Sequence, residues 1–237
     1  WGNPIYNWKY LRETHYEWWL KRFRKTLEWV DVIRIDHFRG FESYWAVPYG
    51  ETTVVNGSWK PAPGEELFSK VQKELGELPI IAEDLGVITP EVEKLRDSFG
   101  YPGMKILQFA FDSGDSNPYL PHNYIENCIV YTGTHDNDTT EGWYAKLKTD
   151  VKKYVDEYTK YKSGSFSRKL IETAWNSNAV LAIAPLQDFL ALPSEARLNT
   201  PGKADGNWQW RYRKEDLKEE LSTEIQSLTL EAKRLNK

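Results

Sequence analysis

The pattern of apolar and polar positions predicts an α/β protein. Short apolar runs rich in Val and Ile alternate with longer segments of helical periodicity, as in sheets of parallel strands that helices cover. The predicted strands are 31–36, 79–84, 104–111, 128–132 and 180–183. The predicted helices are 6–29, 65–76, 90–100, most of 140–176 with a break at 163–165, and 214–235. A long loop over 37–64, rich in aromatic, Gly and Pro residues, follows the first strand.

Three of these strands run into a carboxylate. VDVIRID ends at Asp36, LPIIAED carries Glu83, and CIVYTGTHD ends at Asp136. Parallel strands that alternate with helices gather their C-terminal ends at one face, so we expect the three acids to lie together. Taken singly, each acid has a structural alternative: an ion pair with Arg34, a helix N-cap, or a polar turn. Taken together, they favour a catalytic site. The first chemistry that three such acids suggest is a reaction on sugars.

Cleavage of a glycosidic bond with retention needs two carboxyl groups, one as nucleophile and one as acid and then base. Arg34 lies two residues before Asp36, on the same strand face, and its positive charge favours the ionised form that a nucleophile needs. Glu83 ends an apolar run, where burial is expected to raise its pKa toward the range of an acid/base catalyst. Asp136, beside His135, could bind ring hydroxyls and support an oxocarbenium-like transition state.

The bulk composition narrows the class of protein. With 237 residues and 40% hydrophobic content, the chain can form one large domain with a substantial core. A net charge of −4 without a long basic run argues against a nucleic-acid partner, and no apolar stretch is long enough to predict a membrane span. The single cysteine, Cys128, cannot form an internal disulfide. The 11 Trp and 14 Tyr residues suit both a packed core and stacking against sugar rings.

Seven motifs, in this order along the chain, resemble those of the 4-α-glucanotransferases. These enzymes are also called amylomaltases or disproportionating enzymes, and they form glycoside hydrolase family 77 in the α-amylase clan. The motifs are WGNPIYNW, RIDHFRGFESYWAVP, PIIAEDLGVITPEV, PGMKILQFAF, YTGTHDNDTTEGWY, APLQDFL and SEARLNTPG. The resemblance runs from Trp1 to about Tyr212 and is highly specific.

The resemblance implies a role for each of the three acids. Asp36 would be the nucleophile, Glu83 the general acid/base, and Asp136 the stabiliser of the transition state. The reaction would move α-1,4-glucan segments to another glucan or to glucose through a glycosyl-aspartate intermediate. The substrates would be maltooligosaccharides, amylose, starch or glycogen, and the family implies neither a cofactor nor a metal.

The resemblance also implies residues that bind the substrate. Arg34 and His135 would bind around the sugar at the cleavage point. Trp1 would line the sugar-binding cleft near the acceptor side, and Asn199 with its neighbours would do the same.

The family is about twice as long and forms a complete eight-stranded barrel, so residues 1–237 are expected to be a segment of that barrel. We predict the C-terminal part, about five strands, of a (β/α)8 barrel, with 213–237 as a closing amphipathic helix. The missing N-terminal half would come from the same or another chain, and the isolated segment is expected to be inactive. We see no initiator Met and no leader, and we expect a cytoplasmic enzyme, or a plastid one in a plant.

Three other functions remain open at this point. An amylase-type hydrolase would use the same acids and admit water on the acceptor side. A metal-dependent hydrolase would use His37, His135 and nearby Asp residues, although such sites usually need more histidines than the 4 present. A half-barrel that only binds glucan through its Trp residues would show binding without turnover.

Overall fold

The computed structural model describes residues 3–235, in two compact units that meet in sequence between Met104 and Lys105. The strands are β1 (Ile33–Ile35), β2 (Ser43–Ala46), β3 (Ser58–Pro61), β4 (Ile80–Ala82), β5 (Gly103–Ile106), β6 (Cys128–Tyr131) and β7 (Leu181–Ile183). The helices are α1 (Trp8–Glu13), α2 (Glu17–Leu27), α3 (Gly64–Leu75), α4 (Pro90–Ser98), α5 (Thr140–Ala145), α6 (Thr149–Tyr158), α7 (Phe166–Trp175), α8 (Leu186–Phe189) and α9 (Glu219–Glu231). The α/β class is therefore confirmed, and all five predicted strands are present in shorter form.

The first helical segment departs from the prediction of one helix over 6–29. It divides into α1 and α2, because His15 and Tyr16 adopt left-handed backbone conformations with φ of 53° and 58°. Non-glycine residues rarely adopt this conformation. The turn allows the Tyr16 side chain to enter the core, where it is only 2% exposed. Burial of a large aromatic ring offsets the backbone strain.

One sheet of the first unit is a parallel pair. β1 pairs with β4 in the register Ile33↔Ile80, so the C-terminal ends of both strands lie at the same edge. β4 is buried on both faces, as its apolar sequence predicts. The core beside this sheet combines aliphatic and aromatic residues and includes Phe38 stacked on Phe68 at 5.5 Å between ring centroids.

The predicted loop over 37–64 contains regular structure. It begins with a turn of 3-10 helix at Phe38–Phe41 and continues into β2 and β3, which form an antiparallel pair. Trp45 lies opposite Trp59 in this pair, and aromatic cross-strand pairs stabilise such hairpins. The prediction of an irregular loop was therefore wrong. The sequence did not reveal the two strands because they are short and Gly and Pro residues surround them.

In the second unit, β6 pairs in parallel with β7, and both strands belong to a three-stranded sheet in the order β5, β6, β7. β6 is buried along its whole length, and helices α5 and α7 contribute large apolar residues to the core around it. The five predicted strands are thus hydrogen-bonded as one pair and one triplet, not as one continuous ladder. The prediction that 1–237 is a single barrel segment stays a prediction.

The closing helix is shorter than the predicted 214–235. A 3-10 turn at Lys214–Asp216 precedes α9, which ends at Glu231. Within α9, Leu228 is buried at 2% exposure, whereas Leu217, which precedes the helix, is 47% exposed. The helix therefore packs against the core through Leu228. No helix in residues 3–235 has the length and apolar character to cross a membrane.

Candidate active site

The register of β1 and β4 brings two of the predicted acids to one edge of the first unit. Ile35 lies opposite Ala82, so Asp36 and Glu83 are the next residues on adjacent parallel strands. The backbone N–H of Glu83 donates to the Ile35 carbonyl at 2.9 Å, and the Glu83 carbonyl accepts from Phe38 N–H at 2.9 Å. The prediction that these two acids share one end is confirmed.

The Glu83 carboxylate is held by backbone donors on both of its oxygens. Oε2 accepts the N–H of His37 at 2.6 Å, and Oε1 accepts the N–H of Leu85 at 3.0 Å. His37 has φ of 50°, a left-handed conformation that costs a non-glycine residue roughly 1–3 kcal/mol. The tight turn directly after Asp36 is what aims this N–H at Glu83, so the strain is consistent with a functional site.

The pKa of Glu83 is raised above its usual value, chiefly because burial disfavours the charged carboxylate. The negative charge of Asp36 acts in the same direction. The backbone N–H groups of His37 and Leu85 and the charge of Arg34 lower the pKa and only partly offset the burial. The sequence prediction for Glu83 is confirmed in direction, and the environment suits a group that gives up and takes back a proton.

Asp36 is the accessible partner of this pair of acids. Its side chain is 81% exposed, and its Oδ1 lies 3.4 Å from Nη2 of Arg34, whose side chain is 28% exposed. Both residues line a cavity of ≈ 390 Å³. Aromatic residues make up much of the remaining wall: Tyr6, Trp8, Trp19, Phe23, Phe41 and Tyr44. A carboxylate that opens into an aromatic cavity can meet a sugar ring, because flat aromatic rings stack on the apolar faces of sugars.

In the second unit, Asp136 lies in the loop that follows β6. Its Oδ1 accepts from Nδ2 of Asn199 at 2.5 Å, and its Oδ2 lies 3.4 Å from Nε2 of His135. The backbone N–H of Asn199 donates to the His135 carbonyl at 3.1 Å. The structure therefore brings together the three predicted residues of this unit. Asp136 stays partly exposed, so its carboxylate remains accessible to a polar ligand.

Two residues of this second cluster were not predicted. Arg197 donates from Nη2 to the Asp136 carbonyl at 2.6 Å and from Nε to the Asn199 carbonyl at 2.8 Å, and it thereby links the two loops. The Trp208 ring packs against the His135 ring with centroids 5.2 Å apart. Arg197 belongs to the motif SEARLNTPG, whose neighbours of Asn199 were expected near the sugar, but its role as a bridge has no sequence signal.

The remaining predictions for the site divide into two groups. Trp1 lies outside the described residues. The position of Asp136 at the same end as Asp36 and Glu83 stays a prediction, as do the catalytic roles of all three acids. Within residues 3–235, no group of three or more His, Cys, Asp and Glu side chains is arranged to hold a metal ion.

The family model and the curated relatives that match this chain carry the same description. The family model described as 4-alpha-glucanotransferase matches residues 1–218. The chain is 54% identical to a 4-alpha-glucanotransferase of Synechocystis sp. over 97% of this chain and 46% of that protein. It is 49% identical to the Thermus thermophilus 4-alpha-glucanotransferase over 99% of this chain and 49% of that protein. The chain thus spans about half the length of the curated relatives it matches.

A solved structure contains a region with nearly the same fold as this chain. The amylomaltase from Streptococcus agalactiae in complex with acarbose superposes with a TM-score of 0.96 at 42% sequence identity. The match covers 100% of this chain and 48% of that one.

Proposed function

Because this chain belongs to the family of 4-alpha-glucanotransferases, we propose that it carries the catalytic carboxylates of a retaining α-1,4-glucan transferase. The observation that supports this most is the pair of acids at the ends of β1 and β4. Asp36 is open to the cavity, whereas the pKa of the half-buried Glu83 is raised. Two carboxyl groups with different environments are the arrangement that acid/base and nucleophilic roles require.

In the first step, a carboxylate oxygen of Asp36 attacks the anomeric carbon of the donor glucan. The bond from that carbon to the glycosidic oxygen breaks, and the oxygen takes the proton of Glu83 as the shortened glucan leaves. The products are a glycosyl ester on Asp36 and an ionised Glu83. Burial of Glu83 favours the protonated form at the start of this step.

In the second step, the 4-hydroxyl of an acceptor sugar gives its proton to Glu83 and attacks the same carbon. The ester bond to Asp36 breaks, and its carboxylate is restored. Two inversions give net retention. The N–H groups of His37 and Leu85 support the ionised Glu83 that exists between the two steps. The same carboxyl can therefore serve as acid and as base.

The second cluster supplies the sugar contacts in this proposal. Asp136 and His135 bind ring hydroxyls of the donor sugar, and the Asp136 charge stabilises the oxocarbenium-like transition state. Arg34 binds beside the nucleophile, and Asn199 contributes on the acceptor side. Trp1 is proposed to line the acceptor side as well.

We further propose that the chain acts as the C-terminal part of a (β/α)8 barrel, which a further part of the enzyme completes. The proposal rests on the parallel pairing of β1 with β4 and of β6 with β7, and on relatives that are about twice as long. The substrates would be α-1,4-glucans, in keeping with the acarbose bound to the Streptococcus agalactiae amylomaltase. We propose a cytoplasmic location, or a plastid in a plant, since plant relatives are described as chloroplastic or amyloplastic.

Hydrolysis is the main alternative, and product analysis distinguishes it from transfer. We expect the full-length protein to convert maltotriose into glucose and a series of longer maltooligosaccharides, with the total number of reducing ends constant. The Glu83→Gln variant provides the background rate. Growth in reducing ends in step with glucose release would mean that water is the acceptor, and the transferase proposal would be wrong.

The alkaline side of the pH profile should report Glu83. The first step needs the protonated carboxyl, so kcat/KM should fall as the pH rises through its raised pKa. We expect the apparent pKa of this limb to lie above the ordinary glutamate value of 4.5. A glycosyl fluoride donor is the control, because fluoride leaves without a proton and the limb should disappear from its first step. A limb at or below 4.5, or one that persists with the fluoride, would count against the acid role.

A further inference from the structure

Asp188 is a buried carboxylate that the proposed reaction does not use. It lies in α8, directly after β7, and the residue is only 2% exposed. A buried carboxylate is costly unless hydrogen bonds satisfy its oxygens. Its Oδ2 accepts the hydroxyls of Thr132 at 2.6 Å and Thr140 at 2.7 Å, and its Oδ1 accepts the N–H of Thr140 at 2.8 Å. Both threonines are fully buried.

These partners lie at the two ends of one loop. Thr132 directly follows β6, and Thr140 is the first residue of α5. The seven residues between them include His135 and Asp136. Asp188 therefore fastens the start and the end of the loop to one point, through two side chains and one backbone group.

The middle of the loop is held separately. Oδ1 of Asn137 accepts the N–H and the hydroxyl of Thr134, both at 2.9 Å, and Nε2 of Gln108 donates to the Asp138 carbonyl at 2.9 Å. These bonds fix the shape of the loop. Asp188 differs from these contacts because it holds the two ends of the loop in place.

We propose that Asp188 is a positioning residue for Asp136 and that it acts by clamping both ends of the 133–139 loop. This inference rests on the proposed function, since the clamp matters to catalysis only if Asp136 acts on the transition state. Within residues 3–235, the Asp188 carboxylate bonds to Thr132 and Thr140 and not to His135 or Asp136, so its effect passes through the loop. A displacement of the loop should therefore weaken transition-state contacts more than ground-state binding of a long glucan.

The test is steady-state kinetics of the Asp188→Ala variant of the full-length protein with maltotriose. We expect kcat to fall about 10²-fold, the loss that a misplacement of about 1 Å can cause. We expect KM to change by less than about threefold, since the other glucan contacts remain. In Asp188→Asn, the amide oxygen can still accept the Thr140 N–H and the threonine hydroxyls can turn to accept from the amide. That variant should recover kcat to within about tenfold of wild type, because the clamp geometry is kept.

The control separates positioning from general loss of stability. Thr159 is fully buried in the same unit and its hydroxyl bonds to the Val155 carbonyl at 2.9 Å, so Thr159→Val removes a buried hydrogen bond far from the loop in sequence. It should lower Tm and leave kcat unchanged. If Asp188→Ala does not fold, Thr132→Val removes one arm of the clamp and should lower kcat where Thr159→Val does not. An Asp188→Ala or Thr132→Val enzyme with wild-type kcat would overturn the inference, whereas a wild-type protein without transfer would overturn the proposed function instead.

Discussion

Replacement of Asp36 by Asn should reduce glucan transfer by more than about 10⁴-fold, since removal of a nucleophile commonly costs that much or more. The amide of Asn is nearly the same size as the carboxylate but is not a competent nucleophile. Because the Asp36 side chain is 81% exposed, the fold should tolerate the change with little loss of stability. The measurement is kcat/KM on maltotriose, together with the Tm of the variant.

The matched control is Asp31→Asn. Asp31 precedes β1 and is exposed, so the same chemical change is made before the strand instead of after it. This variant should keep wild-type activity. An Asp36→Asn enzyme that retains more than about a tenth of wild-type kcat/KM would exclude Asp36 as the nucleophile, because no other group could supply the missing bond at that rate.

Removal of Arg96 is expected to have the largest effect on stability. The Asp84 and Arg96 side chains are 5% and 6% exposed and form a hydrogen-bonded ion pair. Asp84 also accepts the N–H of Met104 at 2.7 Å. Arg96→Met leaves a buried carboxylate without its cation, which should lower the free energy of unfolding by about 3–5 kcal/mol. Urea unfolding of the full-length protein measures this loss.

Two further variants show whether the loss of stability in Arg96→Met comes from the unpaired Asp84 charge. Lys70→Met makes the same kind of change in a partly exposed i,i+4 pair with Glu74 and should cost no more than about 0.5 kcal/mol. The double variant Asp84→Asn/Arg96→Met removes the unpaired charge and should recover part of the loss. A loss of less than about 1 kcal/mol in Arg96→Met would show that the Asp84 carboxylate is solvated at little cost, contrary to its burial.

The Asp84–Arg96 pair accounts for the glycine at position 103, and its Asp84 lies next to Glu83 in the sequence. A Cβ at Gly103 would lie 2.4 Å from Oδ2 of Asp84 and 2.9 Å from Nη1 of Arg96, so only glycine fits beside the pair. Asp84 directly follows Glu83. The ion pair therefore anchors the chain next to the proposed acid/base group, and loosening it should disturb catalysis as well as stability.

The sequence predicted the strand positions and the placement of Asp36 and Glu83 at two strand ends because both depend on local patterns. The apolar run before Glu83 is continuous, and the structure shows it buried and paired with β1. The alternation of Arg34 and Asp36 likewise predicts a contact on one face, which is present at 3.4 Å. Such local patterns predict the structure well because a buried strand has few alternative registers.

Features that depend on distant parts of the chain were not predictable. The break at His15 and Tyr16 has no Gly, Pro or Asn to signal it, and it exists because the buried Tyr16 ring compensates for the strained turn. One of the two backbone bonds to the Glu83 carboxylate comes from the N–H of His37, whose left-handed conformation no local rule predicts. Arg197 reaches Asp136 across 61 residues of sequence, and no pattern along the chain encodes such a contact.

If Asp36 forms a covalent bond to the donor sugar, the glycosyl enzyme can be trapped and identified. In full-length Glu83→Gln, a maltosyl fluoride of α configuration can still react, because fluoride leaves without a proton. The second step lacks its base, so the glycosyl enzyme should accumulate. We predict that mass spectrometry of the quenched and digested protein will show one maltosyl unit on the peptide that contains Asp36. Steady fluoride release without an adduct, or an adduct on a different residue, would contradict the assignment of Asp36 as the nucleophile.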